Sequence, residues 1–263
     1  MNNVPYDEWA LVVHEILSQH SSENNLVLDL ACGTGTLTEK LANFGHNMIG
    51  IDNSLEMLEM ARRKKEISGH DILYLHQDMK AFELYGTVKA IVCLCDSINY
   101  ILEPTDLKQT FTLVNNYLDP KGLFIFDFNT TYKYREIIGK QTIAENREDK
   151  SFIWENYFHE EERINELELS LFVKNTALDK KDALPENSKV NENAISKESD
   201  ISEGESYRKF KETHYQRAYD LEEIKELIKE SGLEFIQAFD GYTKNGVTIN
   251  SERILLIASE SGK

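Results

Sequence analysis

Short apolar runs alternate with helical patterns along the first half of the chain. Segments with an apolar residue at every third or fourth position predict helices, and predominantly apolar runs of four to six residues predict buried strands. The predicted strands are residues 25–30, 48–51, 72–76, 90–95 and 123–128. Because strands and helices alternate, we expect βαβ units that build a mostly parallel sheet flanked by helices.

Helix boundaries are indicated by the periodic segments and by capping residues. Helical stripes cover residues 7–20, 36–44 and 106–118. Asn53 and Glu56 have the spacing of a capping box, so we expect Asn53 to begin the helix that follows the second strand. These helices would connect successive strands of the sheet.

The pattern changes after the fifth strand. Alternating apolar and polar positions predict an antiparallel ribbon with strands at residues 152–158, 164–173 and 207–216. Residues 176–205 within this region are polar, charged and nearly free of aromatic side chains, so we expect a flexible acidic loop there. A helix that begins at Asp220 and two closing strands complete the predicted fold.

The charge balance is strongly acidic, with 46 Asp and Glu residues against 29 Lys and Arg residues and a formal net charge of −17. A nucleic-acid-binding protein needs a concentrated positive surface to contact phosphates. The densest basic run, residues 62–65, is typical of the solvated face of a helix. The composition therefore favours a soluble protein with small or cationic substrates.

The cysteine content and the N-terminal residues indicate the cytoplasm. Cys32, Cys93 and Cys95 form no paired framework, which is typical of a reducing compartment. No further ligands accompany them, so we expect packing roles and no metal site. The chain begins without the pattern of a signal peptide and contains no run of about 18 apolar residues, so we expect no membrane span.

A glycine turn follows the first strand and carries the first candidate chemistry. Asp29 precedes Gly33 and Gly35, which let the backbone pass close to a ligand at the start of a helix. Thr38 stands where a dinucleotide site would have its third glycine. Asp52, at the tip of the second strand, can accept both hydroxyls of a ribose. The turn therefore predicts a nucleoside site with little sign of a pyrophosphate.

The tips of the third and fourth strands extend this site. Asp78 can accept a hydrogen bond from an adenine amino group, and Met79 can cover the ring. Cys95 and Asp96 end the fourth strand. Since ligands bind at the carboxyl edge of a parallel sheet, we expect these side chains to lie together. For Asp29 and Asp52 the alternative is a cap of the following turn, a common use of aspartate.

The chain resembles the class I S-adenosylmethionine-dependent methyltransferases in the motifs LDLACGTG, GIDNS, QDM and LDPKG. The resemblance implies S-adenosylmethionine as cofactor, S-adenosylhomocysteine as product, and a Rossmann-like α/β sheet of seven strands with the last strand antiparallel. Ala31 departs from the glycine that many members have. The cofactor-binding residues implied are Asp29, Ala31, Cys32, Gly33, Gly35, Asp52, Asn53, Gln77, Asp78, Met79, Cys95 and Asp96.

The region after the fifth strand resembles the antiparallel β cap of small-molecule N-methyltransferases that act on glycine, sarcosine or amino sugars. This implies a core of residues 1–131 and 218–263 with an inserted cap at residues 132–217. His214 could deprotonate an acceptor and Arg217 could hold a carboxylate, although a packed or solvated histidine is the common alternative. Asn99 and Tyr100 could contact substrate or cap a helix. Further candidates for the lining are Tyr6, Trp9, Asp127, Asn129 and Trp154.

These observations favour methyl transfer to a nitrogen or oxygen of a small molecule. Two alternatives stay open: methylation of tRNA or other RNA, against which the charge balance counts, and a non-catalytic protein that binds the cofactor. An oxidoreductase is disfavoured by Thr38. The sequence is consistent with a monomer or a homodimer.

Overall fold

The computed structural model describes residues 4–20, 25–175 and 206–263. Within these residues the chain forms one sheet of seven strands and a second sheet of four strands. The predicted flexible loop at residues 176–205 lies outside the described residues. No helix in the described parts of the chain is long and apolar enough to cross a membrane.

The larger sheet has the strand order β10-β11-β5-β4-β1-β2-β3. Strand β11 runs antiparallel to both of its neighbours, and the other pairs are parallel. This confirms the predicted fold class. The strands are β1 (Leu26–Leu30), β2 (Asn47–Asp52), β3 (Leu73–His76), β4 (Val88–Cys93), β5 (Leu118–Asn129), β10 (Leu233–Asp240) and β11 (Arg253–Glu260).

Five α-helices and two short helical segments accompany this sheet. The α-helices are α1 (Tyr6–Gln19), α2 (Thr36–Asn43), α3 (Leu55–Ser68), α4 (Pro104–Tyr117) and α5 (Leu221–Glu230). A 3₁₀ helix covers Ser97–Tyr100 and a π-helix covers Lys133–Ile138, and the sequence pattern predicted neither. A π-helical turn is rare and frequently marks a functional site.

The capping prediction for α3 was wrong by one residue. The N-cap is Ser54, whose hydroxyl accepts a hydrogen bond from the Met57 amide at 3.2 Å. Asn53 lies one residue before the cap. Its spacing to Glu56 imitates a capping box, but serine at the neighbouring position satisfies the free amide of the first turn more directly.

Alternation along the strands sorts the core onto the two faces of the sheet. Leu28 and Phe126 belong to one buried cluster, which also contains residues of α4 and α5. Val27 and Ile125 belong to the other, against α1, α2 and α3. Because side chains alternate with a period of two, both faces of the central strands are apolar, as expected for a sheet covered on both sides.

The smaller sheet is antiparallel, with strands β6 (Thr142–Asn146), β7 (Lys150–His159), β8 (Ile164–Lys174) and β9 (Tyr207–Arg217) in chain order. Three of these strands were predicted. Strand β6 was missed because it is an edge strand with one large apolar side chain, Ile143, which gives almost no alternation to detect.

Candidate functional site

The glycine turn between β1 and α2 has a left-handed backbone at three positions. The φ angles of Ala31, Gly33 and Gly35 are +62°, +54° and +70°. A β-carbon on Gly35 would lie 2.4 Å from the hydroxyl oxygen of Tyr74, so glycine is required there by both conformation and space. The turn therefore lies directly on the sheet, with its backbone exposed toward the strand tips.

Asp52 connects this turn to the tip of β2. One carboxylate oxygen accepts the Gly33 amide hydrogen at 2.7 Å, and the other accepts the Ser54 amide hydrogen at 2.9 Å. Each oxygen keeps lone-pair capacity for a further donor. The turn-capping role and the predicted ribose-binding role are therefore compatible in one side chain.

Thr38 explains why the third glycine is missing. Its hydroxyl donates a hydrogen bond of 2.6 Å to the carboxylate of Asp29, and both side chains are buried. Burial raises the pKa of Asp29 to about 7, against the opposing effect of this hydrogen bond. A buried carboxyl group with such a pKa can respond to a cationic ligand at the turn.

A shallow pocket opens beside the turn at the tips of β2 and β3. Its lining consists of Ala31, Asp52, Asn53, Gln77 and Met79. All five belong to the predicted cofactor-binding set, so the structure brings these residues together around one opening.

The loop after β3 is held by the other predicted side chains. The Gln77 amide exchanges hydrogen bonds with the backbone of Glu83, donating at 3.3 Å and accepting at 2.7 Å. Asp78 accepts the Lys80 amide hydrogen at 2.8 Å and is 46% exposed, which leaves carboxylate surface for a ligand.

Asp96 is the centre of a second group of contacts at the tip of β4. Its carboxylate accepts hydrogen bonds from Arg253 at 2.6 Å and from the cap residue Gln216 at 2.7 Å. Its amide donates to Asp127 at 2.7 Å. Cys95 and Asp96 both have left-handed backbones, with φ of 61° and 52°, so the chain turns sharply at this tip.

Arg253 joins two carboxylates that are remote in sequence. Besides Asp96 it donates to Asp127 at 2.7 Å, and Asp127 also accepts the Tyr242 hydroxyl hydrogen at 2.5 Å. Trp9 stacks on Tyr242 with ring centroids 4.2 Å apart, and the guanidinium of Arg253 lies over the Trp9 ring. Trp9 and Asp127, both predicted lining candidates, thus support this ion-pair network from α1 and β5.

The sequence pattern did not predict that Arg253, Tyr242 and Gln216 belong to this site. Arg253 begins an otherwise apolar strand, and that isolated charge is the signal that could have identified it. Burial tends to lower the pKa of this guanidinium, but Asp127 and Asp96 hold it well above its ordinary range. It therefore remains charged and neutralises the two acids.

The four predicted catalytic residues lie near the junction of cap and core in different environments. Asn99 is fully buried, and its amide donates to the backbone oxygens of Asn129 and Arg217 at 2.9 and 2.8 Å. Its oxygen accepts the Asn129 amide hydrogen at 2.8 Å. Its polar atoms are thus occupied inside the protein.

The remaining three catalytic candidates are less buried. His214 lies 3.3 Å from the Glu212 carboxylate, and its ring meets Tyr100 edge-on at 6.0 Å. The guanidinium of Arg217 lies over the Tyr219 ring and 3.5 Å from Glu223. Arg217 therefore contacts Tyr219 and Glu223 at the junction of cap and core, and His214 and Tyr100 form a ring pair that is more exposed.

Comparisons with known proteins agree with this geometry. The family profile described as a methyltransferase domain matches residues 27–122. The Bacillus subtilis (strain 168) protein YqeM, which is named as a methyltransferase, is 32% identical over 262 residues, covering 99% of this chain and 93% of that protein. The chain belongs to the class I S-adenosylmethionine-dependent methyltransferases.

Solved structures of this family have the same architecture. An S-adenosylmethionine-dependent methyltransferase from Clostridium acetobutylicum is 30% identical, with a TM-score of 0.82 over 99% of this chain and 94% of that chain. The cofactor-bound amino pentose methyltransferase CalS10 from Micromonospora echinaspora has a TM-score of 0.71 at 16% identity, covering 99% and 93% of the two chains. The second likeness concerns the fold alone.

The turn of this methyltransferase fits S-adenosylmethionine. The cofactor carries positive charge on its sulfonium and amino groups, the strand tips around the turn present the carboxylates of Asp52 and Asp78, and the carboxyl group of Asp29 is buried beneath the turn. The left-handed turn leaves room for a ligand at its backbone. The residues present thus match the positive charge of the cofactor.

Proposed function

We propose that this methyltransferase transfers the methyl group to a nitrogen or oxygen atom of a small molecule, which binds between the tips of β4 and β5 and the cap. The observation that carries the proposal is the 2.7 Å hydrogen bond from Gln216 on the cap to Asp96 on the core. It holds the last strand of the cap against the tip of β4.

The cofactor side of the proposal assigns a role to each acidic tip. Asp52 binds the ribose hydroxyls, Asp78 binds the adenine amino group, and Asp29 faces the amino group of the methionine moiety. Gly33 and Gly35 provide the backbone on which the cofactor lies. The pocket lined by Ala31, Asn53, Gln77 and Met79 supports this arrangement, as does the raised pKa of Asp29.

The chemistry asks little of the protein beyond alignment. S-adenosylmethionine supplies an activated methyl group on a sulfonium sulfur. The protein must orient the acceptor and exclude water. The Asp96 carboxylate is 21% exposed, so it can accept a hydrogen bond from an N–H or O–H group of the molecule to be methylated. We assign Asn99 a positioning role, because its polar atoms all bind within the protein.

Two further observations support a small acceptor. The net charge of −17 disfavours a polyanionic substrate. CalS10, which shares the fold over nearly the whole chain, is named as an amino pentose methyltransferase. We further propose a core of residues 1–131 and 218–263 and a cap of residues 132–217, and the presence of two separate sheets supports this division. A cytoplasmic location accords with the three free cysteines.

Two measurements test the proposal. Calorimetry with S-adenosylhomocysteine should detect binding that Asp52→Ala weakens and that Asp71→Ala, at a fully exposed position, leaves unchanged. Labelled S-adenosylmethionine should then methylate members of a panel of small amines, hydroxy acids and amino sugars. If the label entered bulk tRNA and no small-molecule product formed, the methyl acceptor would be RNA and the proposal would be wrong. Binding of the cofactor without methylation of any acceptor would indicate a non-catalytic protein.

A further inference from the structure

A continuous chain of hydrogen bonds runs through the junction of cap and core. Lys133 donates to Asn129 at 3.0 Å, and Asn129 donates to Tyr134 at 3.2 Å. Tyr134 donates to Gln216 at 3.0 Å, and Gln216 donates to Asp96 at 2.7 Å. The three middle residues are buried. In each of these bonds the donor lies toward Lys133 and the acceptor toward Asp96, so the chain runs from an ammonium group to a carboxylate.

The charged ends fix the direction of this chain. The Asn129 amide must turn its oxygen to Lys133, because an ammonium group can only donate. Its nitrogen then donates to Tyr134, whose single hydrogen is left for the Gln216 oxygen. Gln216 consequently turns its nitrogen to Asp96. Aligned hydrogen bonds of this kind polarise and strengthen one another.

The two ends differ in how their charge is balanced. Asp96 has Arg253 as an ion-pair partner at 2.6 Å. Lys133 is half-buried, and no carboxylate among the described residues lies within ion-pair distance of its ammonium. Its single acceptor is the neutral amide of Asn129. A partly buried cation without a counter-ion is unfavourable, so an anion from outside the chain would stabilise it.

Burial and the charged groups around Lys133 also affect its ammonium group. Burial and then Arg253 lower the pKa of Lys133, against the opposing effects of Asp96, Glu252 and Asp127. Lys133 begins the π-helix a few residues after the end of β5, close enough to Asp96 for the charge of that carboxylate to act on it. Its location next to the proposed acceptor space distinguishes it from lysines on the outer surface.

We propose that Lys133 binds an anionic group, a carboxylate or a phosphate, of the methyl acceptor. The inference rests on the proposed function, because it defines the substrate class of the same site. The acceptor is then a small amine or hydroxyl compound whose reacting atom lies near Asp96 and whose anionic group completes the Lys133 end of the chain. Charge-assisted hydrogen bonds of this type are among the strongest that proteins form.

Binding of simple anions tests the proposal without any turnover. The protein saturated with S-adenosylhomocysteine is titrated with inorganic phosphate and, separately, with malonate, and the rise in unfolding temperature is followed. We expect Lys133→Met to weaken the response about tenfold or more, Lys133→Arg to retain most of it, and Lys140→Met, at an exposed position nearby, to leave it unchanged. Equal responses in Lys133→Met and the unaltered protein would overturn the proposal.

Matched acceptors provide the second measurement and separate carboxylate from phosphate. One set pairs amino acids with their amides, and the other pairs amino sugars with amino sugar phosphates. Lys133→Met should raise KM about tenfold for the anionic member of the preferred pair and leave the neutral member unchanged. An equal fall in kcat for both members would instead make Lys133 a base, which contradicts the proposal.

The cofactor's own carboxylate is the competing anion. If Lys133→Met weakened S-adenosylhomocysteine as strongly as it weakened the anion response, the lysine would belong to the cofactor site and the proposal would be wrong. If no small molecule were methylated while the anion response behaved as expected, the proposed acceptor class of the enzyme would fail separately from this inference.

Discussion

The cofactor half of the sheet edge, at the tips of β1, β2 and β3, and the proposed acceptor half, at the tips of β4 and β5, are built by different means. At the tips of β1, β2 and β3 the geometry comes from backbone conformation, with Asp52 at the tip of β2 accepting the Gly33 amide hydrogen of the turn after β1. At the tips of β4 and β5 it comes from charged side chains, with Arg253 joining the half-buried Asp96 and the buried Asp127. Backbone construction tolerates little change of residue type, whereas a side-chain network depends on every charge having its partner.

The largest expected effect concerns the acceptor half. Replacing Arg253 with Met should lower the free energy of unfolding by about 3–5 kcal/mol, because the buried Asp127 carboxylate and the half-buried Asp96 carboxylate lose their common counter-ion. Urea unfolding measures this loss. Arg62→Met, at an exposed position, should change stability by less than about 0.5 kcal/mol. A loss below about 1 kcal/mol in Arg253→Met would mean that the network is not a unit.

The buried acid of the cofactor half should give a pH dependence. The pKa of Asp29 is raised from 3.8 to about 7, so between these values the unfolded chain loses a proton that the folded chain retains. The contribution of Asp29 to stability therefore falls as pH rises through this window and is constant above it, by a few kcal/mol in total.

Asp29→Asn should remove that component, and Thr38→Val should extend it to higher pH by removing the hydrogen bond that favours the ionised form. Chemical unfolding at a series of pH values measures the slopes. The assignment to Asp29 would be refuted by identical slopes in Asp29→Asn and the unaltered protein.

A smaller effect tests the backbone construction directly. Gly35→Ala should cost about 1–3 kcal/mol of stability, since φ is +70° and the new methyl would meet Tyr74 and Ala61. It should also weaken S-adenosylhomocysteine binding. Gly86→Ala is the matched control, because open space surrounds that position. Equal costs at the two glycines would contradict a special role for the turn.

The smallest expected effect concerns the start of α3, next to Asp52. Ser54→Ala should cost about 1 kcal/mol, because the Met57 amide loses its partner. Asn53→Ala should leave the stability of the free protein nearly unchanged. Thermal unfolding of the two variants decides between the observed cap and the one that the sequence predicted. A larger loss of stability for Asn53→Ala than for Ser54→Ala would show that Asn53 is the N-cap, as the sequence predicted.

The sequence predicted most of the larger sheet because its evidence is local. Buried strands leave apolar runs, and the glycine turn lies within a few residues of Asp29 and Thr38, so one stretch contains both the geometry and the chemistry. Strand β6 had no such signal. The shift from Asn53 to Ser54 arose because two adjacent polar residues both precede a helix, and spacing alone does not choose between them.

The acceptor half could not be predicted in the same way. Arg253 contacts Asp96 across 157 positions, and Gln216 contacts it across 120, so no window of sequence contains the network. Lys133 and Tyr134 follow β5 in a π-helix that has no recognisable periodicity. The contacts of the Arg217 guanidinium with Tyr219 and Glu223 could not be predicted from the sequence either, because residue type alone does not specify which neighbours surround an arginine.

The place of β11 in the sheet has a consequence for the order of assembly. This strand is inserted between β5 and β10, and its first residue is the arginine on which Asp96 and Asp127 depend. During synthesis the glycine turn and its neighbours can fold long before that arginine leaves the ribosome. Under the proposed function, the place for the methyl donor can therefore form early, and strand β11 later completes the place where the methyl is received.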